Sequence, residues 1–319
     1  MRLLFAGSPA IAVPALETAA ALEGEGVVLA GVLTNPDSRR GRGGRAEPAE
    51  VAAAALRLGL PPGLVLKPER LDAEARREAA ERGADLLVSF AYGRIFGPRF
   101  LGLFPLGGIN VHPSLLPRYR GPTPLQAAIL GGDAETGLTI QELAPEMDSG
   151  GILAQERLSL SGRETAEGLS LRAAELGAAM LGALLRRAAA SGALPGARPQ
   201  EGEPSYCSLI SREDGRIDWG LDAVAIDRRI RAYTPWPLCF TVRGGEELYI
   251  LAGHPREEPA PGSPAEPGTV LGADGKEGIL IQTGRGIFVA GRLQYRSRKA
   301  LGWKDFLNGA RDFIGSRLG

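Results

Sequence analysis

The sequence predicts an α/β fold with a doubly wound, mainly parallel sheet, followed by a smaller β domain. Three observations lead to this prediction. Over the first 190 residues, short continuous apolar runs alternate with helical patterns, as in parallel strands buried on both faces. Beyond residue 208, short strands alternate with glycine-containing turns. At 319 residues the chain is long enough for two domains.

The first domain is predicted to alternate strands and helices from its first residues onwards. A short apolar run, LLFA, predicts the first strand, and Gly7 in GSPA then makes a tight turn into a helix. Later apolar runs such as ADLLVSF indicate further buried strands, and helical patterns separate them. We expect these helices to lie in right-handed crossover connections between the strands. The predicted strands lie at 3–6, 26–34, 64–68, 84–90 and 107–113, and the predicted helices at 11–22, 49–58, 72–82 and 165–191.

A break in this pattern separates the two domains. After the long helix, Gly192 and the stretch ALPGARPQEGEPS combine proline, glycine and charge without periodicity, which is typical of a linker. We therefore place the first domain at residues 1–190, the linker at 191–207 and the second domain at 208–319.

The second domain has a different pattern. A helix is predicted over 222–233, followed by two strands that meet at Gly244 and Gly245. Further short strands fill PGTVLGADGKEGILIQTGRGIFVAGRLQY, and a helix over 303–314 follows them. This spacing predicts a small β-barrel or β-sandwich.

Composition disfavours several classes of protein. The formal net charge is zero, so overall charge gives no indication of a polyanionic partner. The only two cysteines, Cys207 and Cys239, provide neither a disulfide framework nor zinc-ligand spacing, and we expect a reduced, cytoplasmic protein without a metal. The N-terminus lacks a signal-peptide pattern, and no run reaches the roughly 18 apolar residues of a membrane span, so no membrane partner is expected.

One strand end carries the clearest chemical signal. The stretch INVHPSLLPRYRGPTP contains His112, one of only two histidines, two residues after Asn110. Side chains at i and i+2 of a strand point to the same face, and open parallel sheets bind ligands at the carboxyl ends of their strands. The two residues are either a structural pair at a strand end or part of a catalytic site. Asp148, in PEMDSGG, is likewise either a turn residue or a further catalytic group.

The turn after the first strand argues against one class of enzyme. GSPA lacks the G-x-G-x-x-G pattern that lets a backbone approach a pyrophosphate. The sequence therefore disfavours a dinucleotide-dependent oxidoreductase, despite its doubly wound pattern.

The stretch INVHPSLLPRYRGPTPLQAAILGGDAETGLTI, followed by MDSGGIL, resembles the signature of the folate-dependent formyltransferases. The resemblance implies that Asn110, His112 and Asp148 form the active site. In these roles Asn110 donates a hydrogen bond to the oxyanion, His112 donates or shuttles a proton, and Asp148 accepts the amine proton or orients His112. The resemblance also implies two folate-contacting segments, whose residues are Phe90, Ala91, Tyr92, Gly93, Ser114, Leu115, Leu116 and Pro117.

Within this family the chain resembles, over nearly its whole length, the members that act on methionyl-tRNA. The matching stretches are FAGSPAIAVPAL, TNPDSRRGRGGR, VSFAYGRIF, SREDGRIDW and IRAYTPWP. This resemblance implies a Rossmann-like catalytic domain followed by an OB-like barrel. It also implies 10-formyltetrahydrofolate as formyl donor and the α-amine of methionyl initiator tRNA as acceptor. We expect a monomer.

Two basic segments are candidates for contact with tRNA. The loop from Asn35 to Arg45 carries four arginines and three glycines against one acid, and the resemblance makes Arg42 its central residue. The stretch from Arg285 to Arg317 has eight basic and two acidic residues. The alternative for either segment is a solvated charged surface. The candidate residues are Arg39, Arg40, Arg42, Arg45, Arg292, Arg296, Arg298, Lys299 and Lys304.

Three other functions compete with this interpretation. A formyltransferase acting on an amino-sugar nucleotide would share Asn110, His112 and Asp148 and a similar second domain, but has no use for the arginine-rich loop. A glycinamide ribonucleotide formyltransferase would account only for the first domain. An RNA-binding protein with an inactive catalytic domain would not need all three residues.

Overall fold

The computed structural model describes residues 1–39, 44, 46–256 and 265–319 of the chain. Within these residues the chain forms two compact units, the first an α/β structure and the second mainly antiparallel β. Unit 1 comprises Met1–Pro124, Glu135–Ser159 and Leu169–Ser208. Unit 2 comprises Leu125–Ala134, Leu160–Gly168 and Leu209–Gly319.

Unit 1 is built on a seven-stranded sheet, with two further short strands that pair only with each other. The strands are β1 (Arg2–Gly7), β2 (Val28–Leu33), β3 (Ser38–Arg39), β4 (Ala46–Glu47), β5 (Val65–Leu66), β6 (Leu86–Phe90), β7 (Gly108–His112), β8 (Glu135–Glu142) and β9 (Ile152–Ser159). The helices in the same part of the sequence are α1 (Val13–Ala21), α2 (Glu50–Arg57), α3 (Ala73–Glu81), α4 (Pro98–Leu101), α5 (Pro124–Gly131) and α6 (Ala166–Ser191). All of α5 after its first residue, and the first turn of α6, belong to unit 2.

The strand order in the large sheet is β5-β2-β1-β6-β7-β8-β9. The strands from β5 to β7 in this order are parallel, whereas β8 and β9 run antiparallel to their neighbours. Every residue of β6 is buried, as expected for a strand covered on both faces. The predicted α/β fold with a mainly parallel sheet is therefore confirmed.

The direction in which the chain winds across the sheet reverses at β1, which lies between β2 and β6. In open α/β sheets, ligands bind outside the carboxyl ends of the strands at such a switch point. A Cβ at Gly7, the last residue of β1, would lie 2.9 Å from the carbonyl oxygen of Phe90 at the end of β6. Glycine therefore lets these two strand ends approach each other. The carboxyl end of β7, which carries Asn110 and His112, lies beside β6 at the same edge.

A row of aromatic rings fixes the chain that leaves β6. Tyr92 stacks on Phe96 with ring centroids 5.3 Å apart, and Phe96, Phe100 and Phe104 continue the row at 5.4 and 5.8 Å. All four rings are buried in one apolar cluster. This packing holds the segment after β6 against the sheet.

Residues 191–207, predicted to be a linker, make backbone hydrogen bonds within unit 1. Arg198 and Ile152 of β9 exchange two, of 2.7 and 3.0 Å. Further along, Arg120 donates to Ser205 and accepts from Cys207, both over 2.8 Å. The segment therefore lies against β9 and against the loop that follows β7.

Helix α6 is the one helix in the described part of the chain that is long and apolar enough to cross a membrane by length and composition. In its most apolar window, 56% of the residues are buried. A buried core helix of a globular protein meets the same criterion, so α6 alone is weak evidence for a membrane span.

Unit 2 contains a six-stranded antiparallel sheet. Its strands are β10 (Cys239–Arg243), β11 (Glu246–Arg256), β12 (Val270–Asp274), β13 (Gly278–Gln282), β14 (Ile287–Tyr295) and β15 (Leu301–Gly302). The strand order is β10-β11-β14-β13-β12, with β15 paired to β14. Its further helices are α7 (Ala223–Ala232) and α8 (Trp303–Gly309).

Residues 315–319 connect the two ends of this sheet. Val270, at the start of β12, donates its N–H to the carbonyl of Ser316 over 2.9 Å. Val242 of β10 exchanges two backbone hydrogen bonds with Gly319, of 2.9 and 3.0 Å. The outer strands therefore share one short segment, which closes the sheet into a small barrel.

Candidate active site

Asn110 and His112 project from the same face of β7, as the two-residue spacing predicts. In the antiparallel pairing with β8, Asn110 lies opposite Gln141 and His112 opposite Thr139. Side chains directly opposite each other in such a pair are neighbours on one face of the sheet. Four polar side chains therefore meet at this strand end.

Asp148 reaches this group from the turn after β8. Its backbone is left-handed, with a φ of 52°. A Cβ at Gly150 would lie 1.8 Å from the carbonyl oxygen of Glu142, so the return of the chain to β9 requires glycine there. This turn directs the Asp148 carboxylate back towards β7.

Three N–H donors lie near the Asp148 carboxylate. The backbone N–H of Gly121 donates to Oδ2 over 2.8 Å, and Nε2 of Gln141 donates to Oδ1 over 2.9 Å. Nδ2 of Asn110 lies 3.5 Å from Oδ1, which is a long contact. The carboxylate is held by two good donors, and the Asn110 amide stays available to another acceptor.

His112 is buried, with 4% of its surface exposed. Its Nε2 lies 2.9 Å from the carbonyl oxygen of Tyr119. A carbonyl only accepts hydrogen bonds, so Nε2 carries a proton and donates it. Nδ1 then faces the Asp148 carboxylate, 3.6 Å from Oδ2. Burial lowers the pKa of the imidazole, opposed by the charge of Asp148 and by the hydrogen bond to Tyr119.

The predicted loop 114–117 is tied to β8 and to itself. The hydroxyl of Thr139 donates to the carbonyl of Ser114 over 2.7 Å and accepts from the N–H of Leu116 over 3.2 Å. The Ser114 hydroxyl donates to the carbonyl of Arg118 over 2.5 Å. Tyr119 follows with a left-handed φ of 57°. These bonds set the position of the Tyr119 carbonyl, which accepts the hydrogen bond from Nε2 of His112.

The second predicted folate segment presents mainly backbone. Phe90 and Tyr92 are buried, whereas Ala91 and Gly93 are exposed and both left-handed, with φ of 51° and 79°. Burial raises the pKa of Tyr92. The Tyr92 carbonyl accepts a hydrogen bond from Nδ2 of Asn35 over 3.2 Å. A ligand at this edge would therefore meet the backbone around 91 and 93 rather than the aromatic rings.

The sequence-based interpretation missed three polar residues of this site, namely Gln141, Gln200 and Arg120. The alternation of Thr139 and Gln141 along β8 is a signal that could have identified Gln141, because both lie on the face of His112. Gln200 lies in a segment without periodicity, so nothing in the sequence placed it there. Its Nε2 donates to the carbonyls of Asp148 and Gly150, both over 2.8 Å.

The candidate tRNA-contacting residues fall into three groups. Arg39 is exposed on β3, whereas Arg40, Arg42 and Arg45 lie outside the described residues. In unit 2, Arg296 and Arg298 pair with acidic residues of β11, Glu247 at 3.3 Å and Glu246 at 3.1 Å. The side chain of Lys304 lies over Trp303, 5.3 Å from the ring centroid. Among the described residues, Arg292 and Lys299 are exposed and have no ion-pair partner.

The described residues contain no group of three or more His, Cys, Asp and Glu side chains placed to hold a metal ion. Cys239 is buried, which raises its pKa to about 12, and burial also raises the pKa of Cys207. Neither thiol is therefore activated as a nucleophile at neutral pH.

Two family models match the chain, and they divide it near residue 200. The formyl transferase model matches residues 1–185, and the formyl transferase C-terminal domain model matches residues 209–311. Methionyl-tRNA formyltransferase of Treponema denticola is 46% identical over 98% of this chain and 98% of its own length.

Two solved structures have a similar fold at low sequence identity. The N-formyltransferase of Helicobacter canadensis, solved with folinic acid and dTDP-3-aminofucose, superposes with a TM-score of 0.62. It is 19% identical, over 90% of this chain and 98% of its own. The methionyl-tRNA formyltransferase of Clostridium thermocellum gives a TM-score of 0.58 at 17% identity, over 79% of this chain and 92% of its own.

Proposed function

This chain belongs to the formyl transferase family, and we infer that it transfers a formyl group to the α-amine of methionyl-tRNA. The product is N-formylmethionyl-tRNA, which serves translation initiation. The similarity to the Treponema denticola enzyme extends over both units, so it covers the second domain as well as the catalytic one. The observation that carries the chemistry is the convergence of Asn110, His112 and Asp148 at the carboxyl end of β7.

We propose 10-formyltetrahydrofolate as the formyl donor. The switch point outside β1 and β6 is where this class of sheet binds ligands, and the exposed backbone of Ala91 and Gly93 borders it. The loop from Ser114 to Pro117 follows His112, the last residue of β7. A folate bound along this edge would bring its formyl group to the polar side chains of β7.

The first step forms a bond between the amine nitrogen and the formyl carbon, and moves negative charge onto the formyl oxygen. Asn110 is the donor best placed for this oxyanion. Its Nδ2 has only the long 3.5 Å contact with Asp148, so a new hydrogen bond displaces little. The Asn110 amide therefore stabilises the transition state more than the resting state.

His112 is the proton acceptor in this proposal. Because Nε2 donates to Tyr119, the lone pair of the neutral imidazole is on Nδ1, which takes the proton of the attacking amine. The Asp148 carboxylate, 3.6 Å away, stabilises the imidazolium that results. The proton then goes to the folate nitrogen as the bond from that nitrogen to the formyl carbon breaks, and tetrahydrofolate leaves.

We propose that the basic loop at 39–45 and the exposed cations of unit 2 contact the tRNA. Arg39 is exposed, and Arg292 and Lys299 have no acidic partner among the described residues. Cations of this kind bind phosphates and release counterions. Arg296 and Arg298 would first have to exchange their glutamate partners for phosphates. Because the substrate belongs to translation, we place the protein in the cytoplasm. We also expect it to act as a monomer.

A direct assay tests this function. The purified chain is given 10-formyltetrahydrofolate together with either methionyl initiator tRNA or a 4-amino-sugar nucleotide. We expect formylation of the methionyl-tRNA at a rate at least about a hundredfold above that of the sugar, because only the tRNA offers phosphates to the basic segments. Formylation of the sugar nucleotide alone would overturn the assignment.

A further inference from the structure

Gln200 links the segment after α6 to the catalytic carboxylate. Its Nε2 donates to the backbone carbonyls of Asp148 and Gly150, both over 2.8 Å, and lies 3.3 Å from Oε1 of Gln141. Gln141 in turn donates from its Nε2 to Oδ1 of Asp148 over 2.9 Å. One amide therefore contacts the backbone of Asp148 directly and its side chain through Gln141.

The orientation of both amides follows from Arg120. Its Nη2 and Nε donate to Oε1 of Gln200, over 2.8 and 3.2 Å. A guanidinium only donates, so Oε1 of Gln200 must face it and Nε2 must face the turn. Oε1 of Gln141 must then face Gln200, which leaves Nε2 of Gln141 for Asp148. Reversing either amide would place two donors or two acceptors against each other.

These hydrogen bonds matter for Asp148 because its backbone conformation is unusual and must be held by its surroundings. It holds a left-handed φ of 52° without being glycine, and Gly150, two residues later, has no room for a Cβ. Such a backbone persists only where surrounding contacts determine it. The two hydrogen bonds from Gln200 to the carbonyls of Asp148 and Gly150 supply that constraint.

We propose that Gln200 is a positioning residue for formyl transfer: it holds the Asp148 turn and the Gln141 amide so that the carboxylate stays opposite Nδ1 of His112. Arg120 orients Gln200 for this role. Gln200 touches no reacting atom in the proposal, which rests on the proposed function of the site. A displacement of about 1 Å in a catalytic group can lower the rate by about a hundredfold. We therefore expect a 10- to 100-fold fall in kcat when Gln200 is lost.

The test uses Gln200→Met, which keeps the length of the side chain and removes its hydrogen bonds. Single-turnover rates with excess folded enzyme are measured for this change in the natural sequence and in an Asp148→Asn background. If Gln200 acts through Asp148, the fall of 10- to 100-fold shrinks to less than about twofold in that background, because the group being positioned has already been changed. KM for methionyl-tRNA should change little.

Gln282→Met is the matched control, because Gln282 also donates from Nε2 to two backbone carbonyls of one turn, those of Thr283 and Gly286. It lies in unit 2, and its side chain hydrogen-bonds the backbone of that unit, so kcat should stay within about twofold even if stability falls. Gln200→Glu adds a readout, since a negative charge beside the Asp148 turn should raise the acid limb of the kcat/KM profile by about one pH unit. The kcat/KM profile reports the free substrate, whose amine titrates identically in the two assays.

Two results would overturn the proposal. One is folded Gln200→Met enzyme with kcat within about twofold of the natural chain, and the other is an equal fall in rate in both backgrounds. Neither is confused with failure of the proposed function, in which the unmodified chain itself would form no formylmethionyl-tRNA.

Discussion

Gly121 and Cys207 approach each other so closely that a β-carbon on residue 121 would lie 2.2 Å from the Cys207 carbonyl oxygen. Gly121 also has a φ of 115°, in the region that side-chain-bearing residues avoid. Its N–H donates the shorter of the two strong hydrogen bonds that the Asp148 carboxylate accepts. Gly121 therefore joins the loop after His112, the segment around residue 207 and the Asp148 carboxylate.

We expect Gly121→Ala to lower both activity and stability. The added methyl must displace residue 207 or residue 121, and the unfavourable φ alone costs about 1–3 kcal/mol of unfolding free energy. Displacement weakens the hydrogen bond to Asp148, so kcat should fall at least about tenfold. Chemical denaturation and steady-state kinetics measure the two effects. Gly97→Ala is the control, because no atom lies within 4 Å of its added Cβ and its φ is −71°.

The pH dependence of stability should reveal the buried state of His112. Its pKa is lowered below the ordinary 6.5, mainly by burial, so the unfolded chain binds more protons than the folded one as pH falls through 6.5. The free energy of unfolding should therefore decrease as pH falls below 6.5, and level off once pH is below the folded pKa. Urea denaturation at a series of pH values tests this.

The matched variants use the only two histidines. His112→Gln should remove this part of the pH dependence, whereas His254→Gln should keep it, because the side chain of His254 is 49% exposed. An identical pH profile for His112→Gln and the natural chain would show that His112 does not control it.

Asn110→Ala should remove the proposed oxyanion donor while leaving the fold intact. Loss of one such donor typically lowers kcat by about 100- to 1,000-fold. Quench-flow measurement of formyl transfer at saturating folate gives kcat, and circular dichroism monitors folding. Asn308→Ala, on an exposed position of α8, should leave the rate unchanged. A rate within a few-fold of normal for Asn110→Ala would exclude it from the chemistry.

Binding of methionyl-tRNA should weaken steeply with salt, and the cations without partners should carry more of that dependence. Each phosphate contact contributes about −1 to the slope of log affinity against log salt. Arg292→Ala and Lys299→Ala should each reduce the slope by about 1, and Arg298→Ala by less, because its guanidinium already pairs with Glu246. Filter binding between 50 and 200 mM salt, roughly the range over which such contacts are lost, measures the slopes. Equal slopes for all three variants would contradict the proposed interface.

The strands and helices predicted for the first domain are present in the structure, because their apolar spacing is a strong signal. The antiparallel pairing of β8 with β9 was not predicted, because it depends on the turn at Asp148 and not on apolar periodicity. Helix α5, between residues 124 and 131, was missed because it is short and nearly uniformly apolar, which gives no amphipathic signal.

Within the site, spacing predicted that Asn110 and His112 share one face of a strand, but left open whether they are structural or catalytic. The family resemblance favoured catalysis and linked Asp148 to them. Gln200 could not be predicted, because its role depends on where an aperiodic segment folds back, 52 residues after Asp148. The charge count for the stretch from 285 to 317 also gave an incomplete description. It omitted Glu246 and Glu247, which β11 brings beside that stretch through pairing with β14.

The segment 315–319 also determines when the two outer strands of the second unit become paired. It pairs with β10, which is synthesised more than 70 residues earlier, and with β12. The outer edges of β10 and β12 therefore stay unpaired until residues 315–319 have been synthesised and have folded against them. Such edges recruit other strands, so this is the period in which the second unit is most exposed to aggregation and most in need of a chaperone.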